Sequence, residues 1–199
     1  MSRYDPRMDT PDGRLGRPRS EQAREAVLYA VDDLLLEVGY AAMTMKGIAE
    51  RAGVGRQTVY RWWSNKAEIL LEASAADAEE ELAVPPAGSP LGDLTAYLDA
   101  LVTFLAQSPP GAAYRALVAA AQHDPAVAEL IASKDVLGDS ARTVLTRVAD
   151  HGIDLGPLER ASALLVGPVF FWIMSGRDPG QLATEELAED FLRTVQPAQ

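Results

Sequence analysis

Apolar residues recur at three- and four-residue spacing along most of the chain, which is the pattern of amphipathic helices. Caps and breakers divide this pattern: Thr44 and Asn65 are good N-caps, Gly39 and Gly53 follow apolar stripes, and residues 84–90 hold three prolines. Nine helices are predicted in this way, over residues 20–38, 45–52, 56–63, 66–82, 91–108, 110–122, 125–151, 157–175 and 184–195. Since no segment alternates apolar and polar residues as a strand does, the sequence predicts an all-α fold of about nine helices.

The two short helices and the turn between them, residues 44–63, carry the most informative pattern. Gly53 can adopt the positive φ that a tight turn between crossing helices needs, and Ala49 and Ala52 are small enough to let the helices approach closely. Four apolar residues are spaced to form a small core with the first helix: Ile48, Val54, Val59 and Trp63. These features together predict a helix-turn-helix.

The second short helix leaves mainly hydrogen-bonding side chains for its outer face. Arginine and glutamine can read base edges in the major groove, while hydroxyl and ammonium groups can bind phosphates. The candidate DNA-binding residues of this region are Lys46, Arg56, Gln57, Thr58, Tyr60, Arg61, Trp62 and Lys66. Trp62 either donates its indole N–H to a phosphate or packs on the first helix. The alternative for the whole segment is an ordinary helical hairpin with solvated charges.

Residues 23–71 resemble the TetR, or tetracycline-repressor-like, family of transcriptional regulators. The family pattern is matched by Thr44, Ile48-Ala49, Ala52-Gly53-Val54, Thr58-Val59-Tyr60, Trp63 and Lys66. Gly55 departs from it, because the family usually has a polar cap such as Ser there, but glycine is an acceptable N-cap. The resemblance implies a DNA-binding helix-turn-helix domain over residues 20–66 and a ligand-binding and dimerisation domain over residues 67–199.

Charge is distributed unevenly between these two parts. The chain has a formal net charge of −11, but residues 1–66 carry eleven Lys/Arg against nine Asp/Glu, while residues 67–199 carry seven against twenty. Phosphates should repel the acidic part, so only the first third is expected to face DNA. Residues 1–19 are interpreted as a flexible basic arm. Within it Gly16-Arg17-Pro18 is similar to the centre of an AT-hook, and Arg17 either enters the minor groove or belongs to a tail without this role.

The helix predicted over residues 157–175 is apolar nearly all round, so it should be buried on more than one side. The last helix offers a second apolar stripe, with glutamates and aspartates opposite. Two such helices from each chain would make a four-helix bundle across a two-fold axis, and the alternative is a core helix within one chain. The candidate interface residues are Leu164, Phe171, Leu187, Phe191 and Val195. A two-fold dimer would read a pseudo-palindromic operator.

The resemblance to the TetR family implies that the helices between these two regions surround a ligand pocket. Candidate lining residues are Tyr97, Phe104, Tyr114, Leu117, His123 and Trp172, and they favour an apolar or aromatic effector. The alternative is that they are simply core. Gly167-Pro168 is expected to bend the apolar helix or to shape its packing.

Other chemistries find little support. The chain has no cysteine, and its two histidines lack metal-ligand spacing. It has neither a phosphate-binding glycine-rich loop nor a nucleophile elbow, so no catalytic residue, metal or cofactor is expected. The longest uncharged apolar stretch, residues 161–175, is too short to span a bilayer, and without an export signal a cytoplasmic protein is expected. A protein-interaction module and an activator remain alternatives to a repressor released by a ligand.

Overall fold

The structure is a computed structural model that describes residues 16–195, and the side chains of residues 16–19 and 76 lie outside the description. Ten α-helices are present in this range: α1 Gly16–Ala42, α2 Met45–Arg51, α3 Arg56–Trp62, α4 Lys66–Leu82, α5 Pro90–Gln107, α6 Pro109–Ala121, α7 Pro125–Ser133, α8 Val136–Asp150, α9 Leu158–Met174 and α10 Thr184–Val195. A single 3-10 turn covers Pro179–Gln181. The described residues contain no strand, which confirms the all-α prediction, and none of their helices is long and apolar enough to cross a membrane.

The first helix is longer than its apolar stripe predicts. It begins at Gly16, so Gly16-Arg17-Pro18 is helical and not the extended element expected from its likeness to an AT-hook. The side chain of Arg17 and all of residues 1–15 of the predicted arm lie outside the described residues. At the other end Gly39 has φ +75° and leaves the helical region, which confirms a break at that residue.

The single helix predicted over residues 125–151 is wrong, because this segment forms α7 and α8. Lys134 leaves helical geometry with φ −126° and ψ 71°. Asp135 then caps α8 by accepting a hydrogen bond from the backbone N–H of Gly138 at 3.1 Å. An aspartate at this position starts a new helix more favourably than it continues an old one, because its carboxylate satisfies a backbone donor that has no partner within the helix.

Two hydrophobic clusters organise the described residues. The first, here called the head cluster, joins α1, α2 and α3 to the start of α4 through buried residues such as Val27, Ile48 and Ile69. It also takes in Ala113 and Leu117 of α6 and Val127 of α7. The second cluster, here called the C-terminal cluster, joins α5, α8, α9 and α10. The head cluster therefore crosses the predicted boundary at residue 66 and packs α1–α3 directly against parts of α4 and α6.

Candidate nucleic-acid interface

The turn between α2 and α3 has the geometry that the sequence predicts. The hydroxyl of Thr44 caps α2 by accepting from the N–H of Gly47 at 3.0 Å. Gly53 has φ +66°, a conformation that a side chain disfavours, and the N–H of Val54 then bonds the carbonyl of Ala49 at 3.0 Å. Gly55 serves as an N-cap with extended backbone and no side-chain bond, so α3 begins where expected at Arg56.

The inner face of α3 is held by burial and by a hydrogen bond to α4. Val59 and Trp63 are fully or almost fully buried in the head cluster. The indole N–H of Trp63 donates to the carboxylate of Glu72 at 3.0 Å, and Arg24 of α1 pairs with the same carboxylate at 2.6 Å. These contacts fix the rotation of α3 about its own axis, so its outer face is presented in one orientation.

The outer face of α3 is polar and open. Arg56, Gln57, Tyr60 and Arg61 are exposed, and Thr58 is half-buried. Neither arginine pairs with a carboxylate of the described part of the chain. Two positive charges without a carboxylate partner, beside an exposed amide and two hydroxyls, suit contact with phosphates and base edges.

Trp62 lies at the edge of this face and takes part in packing. Its ring meets that of Trp63 edge to face, with 5.4 Å between the centroids, and the guanidinium of Arg61 lies 4.8 Å from its centroid. The side chain is half-buried. The position of Trp62 is therefore compatible with both packing and a phosphate contact, because its ring packs against the head cluster while one side of it stays accessible.

An ion-pair clamp, which the sequence pattern did not single out, fixes α2 on α1. Arg51 at the end of α2 donates to Glu37 at 2.8 Å and to Asp33 at 3.3 Å, both on α1. The hydrogen bond from Arg51 lowers the pKa of Glu37 below its ordinary value. On the open side of α2, Lys46 is exposed and lies 3.5 Å from Glu50, a weak helical pair that a phosphate can displace.

Lys66 does not occupy the position expected of a phosphate-binding residue. Its ammonium group donates to the carbonyls of Tyr40 at 2.6 Å, Met43 at 2.9 Å and Ala41 at 3.4 Å, and lies 4.3 Å from the ring centre of Tyr40. Partial burial lowers its pKa from the ordinary lysine value. All three N–H donors thus bind the end of α1, so the phosphate contact predicted for Lys66 is not supported.

The N-terminus of α4 is also occupied by groups of the chain itself. The side chain of Asn65 accepts from the N–H of Glu68 at 3.0 Å, and the carboxylate of Glu68 accepts from the N–H of Ser64 at 2.7 Å. The two bonds are similar to a capping box, except that Glu68 binds the N–H of the residue before the cap; they satisfy two donors and add a negative charge there. A phosphate at this helix end would meet that carboxylate, which argues against an anion site there.

The six predicted ligand-pocket residues do not converge on one cavity within the described residues. Tyr97, Phe104 and Leu117 are fully buried, and Leu117 belongs to the head cluster. His123 is exposed beyond the end of α6. Trp172 donates to the carbonyl of Asp178 at 2.9 Å and lines a surface groove at the end of α9. Tyr114 borders a cleft between α6, α8 and α9, and Phe104 borders a separate groove. Sequence periodicity predicts that such side chains are buried, but it does not predict which of them surround a common cavity.

The predicted interface residues divide into two groups. Leu164 and Phe171 of α9 are 38% and 59% exposed, on a face that also carries Gly167 and Pro168, and α9 continues through Pro168. Phe191 of α10 is instead 5% exposed within the C-terminal cluster, so little of its side chain is left to contact a second chain. Leu187 and Val195 also pack partly against that cluster. The apolar stripe of α10 is used mainly within the chain.

Comparison with known protein families identifies both parts of the chain. Residues 28–73 match the family described as bacterial regulatory proteins, tetR family. Residues 84–195 match the family described as tetracyclin repressor-like, C-terminal domain. The two matches include the helix-turn-helix and all of α5 to α10.

Individual relatives agree with these matches. The chain is 33% identical to the uncharacterized HTH-type transcriptional regulator YdeS of Bacillus subtilis over 91% of its length and 93% of that protein. It is 32% identical to the DNA-binding transcriptional repressor TetR of Mycobacteroides abscessus, over 57% of its length and 60% of that protein.

Solved structures show the same fold. The TetR family transcription regulator SCO0332 matches 88% of this chain and all of its own, with a TM-score of 0.71 and 27% identity. RolR, solved as a complex with resorcinol, matches 89% of each chain with a TM-score of 0.64 and 18% identity.

Proposed function

Because this chain belongs to the TetR family of bacterial DNA-binding transcriptional regulators, which are not enzymes, we propose that it is a ligand-released repressor. It binds a pseudo-palindromic operator as a homodimer in the cytoplasm and leaves that operator when a small molecule binds its C-terminal part. The observation that carries the proposal is the contrast between the two faces of α3. Its inner face is packed in the head cluster, while its outer face presents exposed polar side chains whose arginines form no ion pair within the described residues.

Operator reading follows from that face. The major groove is about 12 Å wide and admits one α-helix. With α3 in the groove, Arg56 and Gln57 at its N-terminal end and Arg61 one turn later reach base edges. The remaining polar groups, on Thr58, Tyr60 and Lys46 and on the indole of Trp62, lie where the phosphate backbone passes. Lys66 supports this arrangement indirectly, by tying the start of α4 to the end of α1.

Dimerisation uses the exposed face of α9. Leu164 and Phe171 lie about two helical turns apart on that face. Between them, Gly167 has no side chain, and no other atom of the chain lies within 4 Å of where its Cβ would be. A second helix can therefore approach closely there. Pairing with the same face of another copy is isologous and places two α3 helices about a two-fold axis. Half-sites about one DNA turn apart, or a multiple of it, are then expected.

Release by an effector follows from the continuity of packing. The start of α4 lies in the head cluster, and its C-terminal part packs against the C-terminal cluster. A small molecule that favours another position of α4 or α6 therefore changes the separation of the two α3 helices. If the effector lowers operator affinity by a given factor, operator binding must lower effector affinity by the same factor. RolR, of the same fold, is solved with the small aromatic resorcinol, which supports an aromatic effector here.

Gln57→Ala tests base reading by α3. We expect the preference at one position of each half-site to fall by about 1–3 kcal/mol, because a bidentate amide contact to a base edge is lost. Binding to a library of single-base variants of the operator measures this preference directly. Gln22→Ala, at an exposed glutamine of α1, is the matched control and should leave every position unchanged. A uniform fall in affinity across all variants would remove Gln57 from the base-reading residues.

Lys66→Met and Lys46→Met test how the two lysines differ. We expect Lys66→Met to lower the free energy of unfolding by about 1.5–3 kcal/mol, since it leaves carbonyls of α1 without a charged donor. The dependence of DNA affinity on salt should stay the same. Lys46→Met should leave stability unchanged but lower the salt dependence by about one unit of slope per subunit. Urea unfolding and salt titration of operator binding give both quantities, and the reverse pattern would exchange the two assignments.

A further inference from the structure

A cleft of about 280 Å³ lies between α6, α8 and α9, outside the DNA-reading part of the chain. Most of its wall surface is apolar, and Tyr114 and Ser162 are its most buried polar members. The apolar walls comprise Leu137, Ala163, Val166 and Phe170. A cleft of this size takes a molecule smaller than a typical drug.

The buried end of the cleft carries one polar group without a partner. Ser162 is 6% exposed, and its hydroxyl has no hydrogen-bond partner in the structure, not even the carbonyl one turn earlier on α9. Tyr114, which is 9% exposed, borders the same cleft. Burial raises the pKa of Tyr114 to about 12, so its hydroxyl stays protonated and can donate. A buried polar group without a partner is costly, and a bound molecule that supplies one removes that cost.

The exposed end of the cleft is negatively charged. Arg142 lies at this end, but its guanidinium is already shared by Asp135 at 3.2 Å, Glu159 at 3.3 Å and Asp139. One cation against three carboxylates leaves the entrance with an excess of negative charge. A carboxylate or phosphate would have to displace these partners and face that excess, so the entrance favours neutral and cationic molecules.

We propose that this cleft binds a small aromatic molecule that carries a hydrogen-bonding group at its inner end and no negative charge. The ring lies against Val166 and Phe170, the inner group bonds the hydroxyls of Ser162 and Tyr114, and the outer end lies beside Asp135 and Glu159. This inference rests on the proposed function, because the molecule so described is the class of effector that releases the operator.

The cleft is connected to the head cluster through α6. Tyr114 borders the cleft, and its neighbours Ala113 and Leu117 are buried in the head cluster with residues such as Ile48. A ligand that bonds Tyr114 therefore acts on a helix that is packed directly against the DNA-reading elements. Interiors packed at this density do not deform continuously, so a small shift of α6 carries over to them.

Three probes that differ mainly in charge test the class of ligand. Tyramine, 4-(2-hydroxyethyl)phenol and 4-hydroxyphenylacetate share one phenol and carry a cationic, a neutral and an anionic group at the other end. We expect calorimetric titration of the full chain to show binding of the first two, with the anion at least about tenfold weaker because of the acidic entrance. Binding of the anion as tightly as the others, or no binding of tyramine and the neutral probe, would overturn the inference.

Ser162→Ala and Tyr114→Phe test the position of the probe. Each variant should weaken the neutral probe about three- to tenfold, the effect of one lost hydrogen bond. Ser162→Ala should also raise Tm, because it removes a buried hydroxyl without a partner, whereas loss of a merely structural hydroxyl would lower Tm. Ser133→Ala, at an exposed serine whose hydroxyl bonds the carbonyl of Leu130, is the matched control and should leave probe affinity unchanged.

Operator binding without probe separates the two possible failures. If the chain binds its operator but the probes show no dependence on Ser162 and Tyr114, the cleft assignment is wrong while the DNA-binding proposal stands. If the probes bind as expected and no operator is bound, the cleft assignment stands and the proposed repressor function fails. Release of the operator by tyramine or the neutral probe, lost in Ser162→Ala, supports both.

Discussion

Replacing Phe171 with aspartate should convert the dimer to a monomer and lower operator affinity by at least about 100-fold. Phe171 is 59% exposed in the single chain and lies at the centre of the proposed α9 interface, with the guanidinium of Arg177 4.7 Å from its ring centre. The aspartate removes the aromatic contact, and taking its carboxylate out of water between two copies costs several kcal/mol even beside Arg177, which a small interface cannot compensate. Without the dimer, each half-site must be bound separately, and an advantage of about 10²–10⁴ is lost.

Leu158→Asp is the matched control for this prediction. Leu158 is another partly exposed apolar residue of α9, but it lies on the side of the helix away from Leu164 and Phe171. Aspartate is also favourable in the first turn of a helix, so the fold should tolerate it. Sedimentation analysis and operator titration of both variants test the assignment. A dimeric Phe171→Asp protein with normal operator binding would show that chains associate elsewhere.

Trp63→Ala should lower the free energy of unfolding by about 3–5 kcal/mol, the usual effect of truncating a buried tryptophan. Trp63 is 3% exposed, closes the head cluster beside Val59, and bonds Glu72 through its indole N–H. Its loss opens a cavity and releases the constraint on the rotation of α3. Operator affinity should therefore fall even under conditions where the variant stays folded.

Trp62→Ala provides the comparison, since the neighbouring tryptophan has the same size but is only half-buried. We expect it to cost less than half as much stability as Trp63→Ala, because less apolar surface returns to water. Urea unfolding followed by circular dichroism gives both values. Since the head cluster includes residues of α6 and α7, the loss from Trp63→Ala should appear in the unfolding of the whole chain. Equal losses from the two variants would contradict the assigned burial.

The helix-turn-helix could be predicted from sequence because its determinants are local. The hydroxyl of Thr44 accepts a hydrogen bond from a backbone N–H only three residues away. The positive φ of the turn depends only on the residue type at position 53, which is glycine. Asn65 caps α4 in the same way. Signals that act within four residues do not depend on the rest of the fold, so the bounds of α2, α3 and α4 agree with the predictions to within one residue.

The site assignments that the structure does not support concern contacts between residues that are distant in the chain. Lys66 has the residue type of a phosphate ligand, but the end of α1, about 25 residues earlier, supplies three carbonyls to its ammonium group. The stripe of α10 indicates that Phe191 is buried, but not that its own chain covers it. The cleft beside Ser162 was missed for the same reason, since no periodicity distinguishes a serine that borders a cleft from one that faces a core.

The central claim is that the outer face of α3 reads a two-fold symmetric operator, and selection from a random duplex pool tests it most directly. The purified chain is mixed with the pool at physiological salt without any small molecule, and bound duplexes are amplified and sequenced. The account predicts enrichment of a pseudo-palindrome whose half-sites lie about one DNA turn, or a multiple of it, apart. It also predicts that Gln57→Ala relaxes one position in each half. Recovery of no motif, or of a motif without two-fold symmetry, would contradict it.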